Sequence, residues 1–191
     1  MSTHTKPPRR RNAWLIGVLA GIIGLLLVAL GFALAIVIPG VHHDKAFSLT
    51  VGKPVIVSEQ QLRTYGGENG TVYWAGPKAD REYELTRSSA GATFIRYLPN
   101  GVKAGSTHKY LTVATYPEEN GYTLLQESVN AKTISAQKTK SGALVVINPQ
   151  TERSTYFSFP KANFQVEVFS PTDNQSKSLV LDGKIDILGA K

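Results

Sequence analysis

The 191-residue sequence predicts an α+β fold: one N-terminal transmembrane helix, then a single mixed α+β domain in which a helix-plus-four-strand unit repeats. Three observations carry that expectation. An unbroken apolar run extends from Trp14 to Ile38, helix-start signals recur near Ser58, Pro117 and Pro171, and stretches rich in β-branched and aromatic residues fill the intervals between them.

The 25 residues of the apolar run include no acid, base or amide. As a helix they reach roughly 37 Å, enough to cross a ~30 Å hydrocarbon layer with some tilt. Lys6 and the triplet Arg9, Arg10, Arg11 precede the run, and the first twelve residues contain no acid. Basic flanks of this kind stay on the cytoplasmic side. Residues 1–13 are therefore expected to be a basic cytoplasmic tail and residues 14–38 a signal-anchor helix spanning the plasma membrane once, with the C-terminal domain outside in the cell envelope. Trp14 suits the headgroup level, and Pro39 with Gly40 stops the helix at the far side. Ala33-Leu34-Ala35 has the small-x-small form of a cleavage site, but secretory apolar regions usually run only about 7–15 residues.

Gly17 and Gly21 form a Gly-x-x-x-Gly pair, and Gly24, Gly31 and Ala35 extend the small surface. Small residues let helices approach closely in lipid, so this face is expected to associate with a second copy or with an envelope protein partner. Glycine is also simply common in membrane helices, which is the plainer explanation.

Residues 39–53 read as a polar stalk. His42, His43 and Asp44 stand together there, but adjacent histidines on a stem seldom chelate one ion, and a zinc site needs three or four oriented ligands. The chain has no cysteine, which removes disulfides and thiolate chemistry together. No metal or other cofactor is expected.

Residues 54–191 are expected to form the extracytoplasmic domain. Ser58 and Gln61 make a capping-box pattern and Val57 and Leu62 a hydrophobic staple, predicting a helix that ends near Gly66-Gly67. Four strands follow, at Val72 to Ala75, around Tyr83 to Arg87, at Thr93 to Leu98 and at Leu111 to Tyr116. A second helix is predicted from Pro117-Glu118-Glu119, with Leu124, Leu125, Ser128 and Val129 at spacings of three and four. Strands are then expected at Thr133 to Lys138, Ala143 to Asn148, Thr155 to Phe159 and Phe164 to Phe169. Thr172 and Gln175 suggest a third capping box, opening a helix that ends before Gly183, with a last strand at Lys184 to Leu188. The competing reading makes Asp182-Gly183 a hairpin turn.

The net charge of +7 shrinks on division. Four of the 21 basic residues lie in the tail, so residues 13–191 carry 17 basic against 14 acidic groups. No basic run with interleaved aromatics remains, and nucleic acid is not expected as a partner. Elbow, P-loop and His-Glu-x-x-His motifs are all missing from the sequence, and His108 is the domain's one histidine.

The stretches Thr71-Val72-Tyr73-Trp74-Ala75-Gly76-Pro77, Tyr83-Glu84-Leu85-Thr86-Arg87, Arg96-Tyr97-Leu98-Pro99 and Leu111-Thr112-Val113-Ala114-Thr115-Tyr116-Pro117 are together similar to a group of single-pass membrane proteins of actinobacteria. The resemblance covers roughly residues 55–190 and implies a shared fold and a bacterial envelope. It transfers no activity. Tyr73, Trp74, Arg96 and Tyr97 are the candidate binding residues, because Trp, Tyr and Arg dominate contact hot spots; the plainer alternative places them in the core. The expected role is a non-enzymatic binding or scaffolding module. The alternative is an envelope hydrolase using carboxylates, such as Glu84, that only the fold brings together.

Overall fold

A computed structural model describes residues 47–129, 134–147 and 153–189. The span 14–38 with Gly17, Gly21, Gly24 and Gly31, the basic tail and residues 39–46 of the stalk lie outside the described residues. Among the described residues, no helix is long and apolar enough to cross a membrane.

The expectation of an α+β domain needs correction, because the described residues are mostly sheet. They form ten strands and three helices: β1 (Val55–Val57), α1 (Glu59–Glu68), β2 (Tyr73–Trp74), β3 (Arg81–Arg87), β4 (Thr93–Pro99), β5 (Thr112–Pro117), α2 (Gly121–Val129), β6 (Ser135–Lys138), β7 (Leu144–Ile147), β8 (Ser154–Ser158), β9 (Phe164–Phe169), α3 (Gln175–Leu181) and β10 (Asp186–Ile187). Eight strands make one antiparallel sheet in the order β1-β3-β4-β5-β9-β8-β7-β6, and β10 pairs with β2 in a separate ribbon. Among the described residues no helix exceeds ten residues.

The repeat is corrected by the same topology. Away from the central β5–β9 pair both sheet halves run in the same descending order, β5-β4-β3-β1 and β9-β8-β7-β6, but α1 follows the edge strand β1, whereas α2 precedes the edge strand β6. Moreover β2, counted among the first four strands, belongs to the ribbon with β10.

Local rules explain most element ends. Ser58 caps α1 through a capping box with Gln61, and the staple residues Val57 and Leu62 are both buried. The helix continues through Gly66 and Gly67 instead of stopping there. A side chain at Gly66 would lie 2.6 Å from Leu188 Cγ, so this glycine serves close packing rather than termination. Pro117 closes β5 opposite Phe164 and does not open a helix; α2 begins at Gly121, after Asn120 turns at φ 63°. The Thr172 box is replaced too. Asn174 stands at the cap with no side-chain bond, and Gln175 accepts instead from the Ser170 hydroxyl. The last segment is helix then strand, as the first of the two sequence readings has it. Strand β1, the β-branched run Val55-Ile56-Val57 that the sequence reading assigned to no strand, pairs antiparallel with β3. Phe47 and Leu49 pack on the core, so the described part of the stretch read as stalk belongs to the folded unit.

Pairing register assigns the two sheet faces. Tyr83, Leu85, Ile95, Tyr97, Val113, Val166, Val168, Phe157 and Val145 point to one side, where they meet Leu62 and Tyr65 of α1, Val180 of α3, and the β2–β10 ribbon. This is the main core. On the other side α2 places Leu125 over Leu144 and Val146 in a smaller cluster.

A buried ion pair lies on that second face. Glu84 is only 1% exposed; its Oε1 accepts from Arg96 at 2.6 Å and its Oε2 from the backbone N–H of Gly105 at 2.6 Å. Arg96 also donates to the carbonyls of Ser106 and His108, at 2.9 and 2.7 Å, and lies over the Tyr110 ring. Glu84 Oε1 is thus satisfied by Arg96 of β4, while Oε2 and the outer guanidinium nitrogen find their partners in the loop that follows β4, which is drawn onto the sheet.

Candidate functional site

The ribbon of β2 and β10 organises the main candidate site. Strand β2 has a ladder on one edge only, so the N–H groups on its other edge require partners. Side-chain hydroxyls supply them. Tyr73 N donates to Thr115 Oγ1 at 3.0 Å and Ala75 N to the Tyr97 hydroxyl at 2.7 Å, which in turn donates to the Gly76 carbonyl. Lys78 N reaches the Tyr83 hydroxyl at 3.3 Å. The four sequence stretches that carried the actinobacterial resemblance thus bond to one another: Tyr83, Tyr97 and Thr115 hold the Tyr73–Lys78 segment, and Glu84 pairs with Arg96.

Ring packing reinforces this placement. Tyr73 meets Phe157 edge-on at 5.3 Å and Phe164 at 5.4 Å, while Trp74 and Tyr97 both pack on Tyr83. Burial pushes the Tyr73 phenol up to about 12 and the Tyr97 phenol higher still, so both remain neutral rings at ordinary pH.

A groove of about 710 Å³ opens beside Trp74, a size suited to a small ligand or a short chain segment. Tyr73, Trp74, Phe159, Pro77 and Ile185 supply apolar lining, and Arg63 and Asp186 supply charge. The Arg63 guanidinium lies 4.6 Å from the Trp74 ring centroid and is held by Glu59 at 2.7 Å. Ile187 is 41% exposed at the groove, which makes it one of the few large apolar side chains displayed to solvent among the described residues.

The structure brings Tyr73 and Trp74 together at this groove and places Tyr97 behind them. Arg96 is on the opposite sheet face. Its side chain holds Glu84 and the 99–111 loop, because consecutive strand residues alternate between faces. Arg63, Phe159, Ile185 and Ile187 were missed in the sequence. The alternation of Ile185, Asp186 and Ile187 was a visible strand signal, but nothing local placed that strand beside β2. Glu84, the carboxylate named for the hydrolase alternative, has both oxygens engaged. His108 is exposed, and its carbonyl serves Arg96. Among the described residues no three His, Cys, Asp or Glu side chains group to hold a metal.

Comparison with known proteins adds no assignment: no family model, curated protein or solved structure matches the chain.

Proposed function

We propose that the protein is a single-pass, membrane-anchored binding module of the bacterial envelope, and that the groove beside Trp74 receives an extended, largely apolar segment of an envelope partner. The groove chemistry carries this reading: an aromatic wall, one guanidinium fixed over Trp74, and an exposed isoleucine on the rim. The apolar run Trp14 to Ile38 and its basic flank support the anchor and the outward orientation. The glycine series in that run is the proposed contact for a second copy or a membrane partner.

Because the chain lacks cysteine, topology can be read from single introduced thiols. A Ser141→Cys chain is expected to react with a membrane-impermeant maleimide on intact cells, and a Thr3→Cys chain only after lysis. Labelling of Thr3→Cys on intact cells, with Ser141→Cys protected, would reverse the orientation.

A further inference from the structure

The sheet face opposite the groove carries a second arrangement that the binding reading does not use. Register sets Phe94, Ala114, Glu167 and Tyr156 in one row across β4, β5, β9 and β8. Tyr116 is the next residue of β5 on the same face. Three hydroxyls converge on the one carboxylate: Tyr116 donates to Glu167 Oε2 at 2.8 Å, while Ser154 and Tyr156 donate to Oε1 at 2.7 and 3.0 Å. Phe94 packs edge-on against Tyr116, with ring centroids 5.7 Å apart. Phe94, Tyr116, Tyr156 and Glu167 are all half-buried, so the row is neither core nor fully solvated.

All three donors are neutral, and none of the ion pairs among the described residues involves Glu167. A carboxylate offers about four acceptor positions; the three hydroxyls leave one, on Oε2 beside Tyr116. Burial together with Glu167 raises the phenols of Tyr116 and Tyr156, which keeps both as donors. A negative group with no cation among the described residues, one open acceptor and adjacent aromatic rings presents one consistent preference, since ring faces and carboxylate both attract positive charge.

We infer that Glu167, with Tyr116, Tyr156 and Phe94, forms a site for a primary alkylammonium group, the chemistry of a lysine side chain on a partner chain. The open acceptor favours a cation that can donate an N–H over a fully substituted one. The site is on the opposite sheet face from the Trp74 groove and stands or falls separately from it.

Calorimetric titration of the full-length chain in detergent micelles with n-butylammonium, and with an Nα-acetyl-lysine amide, tests this. Both probes are expected to bind saturably, with affinity reduced about tenfold or more in Glu167→Gln, which keeps the side-chain volume and removes the charge. Phe94→Leu is expected to weaken both by about threefold and serves if Glu167→Gln fails to fold. Tetramethylammonium should bind more weakly than n-butylammonium. Absence of saturable binding by the unaltered chain, or equal binding by the unaltered chain and both variants, would overturn the inference.

Discussion

Arg96→Ala is expected to lower the stability of the domain by about 3–5 kcal/mol, because it leaves the buried Glu84 carboxylate without its cation. Removing both charges with matched apolar groups would cost far less, so the effect measures the orphaned partner rather than the net worth of the pair. The same substitution releases the carbonyls of Ser106 and His108 and the stacking on Tyr110. Loop 99–111 should therefore gain hydrogen exchange before the sheet does. Arg96→Lys retains charge but cannot reproduce the planar fork, and should recover only part of the loss. Urea unfolding of residues 44–191 reads the result. A change under about 1 kcal/mol in Arg96→Ala would mean that the loop is not held in the way described.

The second large effect is expected at Trp74, which is 3% exposed and packs on Tyr83. Trp74→Ala should cost about 3–5 kcal/mol, the range for removing a large buried ring. Arg63→Glu, on the same groove, should change stability by only about 1 kcal/mol or less, because Arg63 is exposed and its pair with Glu59 is a surface one. The contrast separates two roles that the sequence merged. Trp74 forms the wall through its packing, and Arg63 presents the charge. Equal destabilisation by both substitutions would remove that distinction, leaving the groove a by-product of core packing.

The legible parts of this fold are those written in local chemistry. The Ser58–Gln61 box, the Val57–Leu62 staple and the alternation in β9 each depend on residues within a few positions of one another, and each is present. The starts of the second and third helices were set too early, because acids after Pro117 and the Thr172–Gln175 spacing resemble helix starts. In the fold, Pro117 instead closes a strand against Phe164, and Ser170 takes the Gln175 side chain. What decides the sheet is non-local. The β5–β9 pair joins Val113 to Val168, and β10 finds β2 across the whole domain. The same distance concealed the candidate sites. Tyr73 and Trp74 were visible as a cluster, but Arg63 and Ile187 approach them only through α1 and β10. Arg96 and Tyr97, adjacent in sequence, serve opposite faces. Glu167 looked like an ordinary polar position of an alternating strand until Tyr116 and Tyr156 converged on it.

The groove beside Trp74 is the proposed working surface of the proposed anchored module. Site-specific photocrosslinking in intact cells tests it most directly, with a photoreactive residue at position 187 of the full-length chain and, as control, at the exposed position 138 on the edge strand β6. The expected result is a discrete crosslinked species from position 187, identified by mass spectrometry, that is lost in Arg63→Glu and does not form from position 138. No adduct at 187, or the same adduct from both positions regardless of Arg63, would contradict the claim.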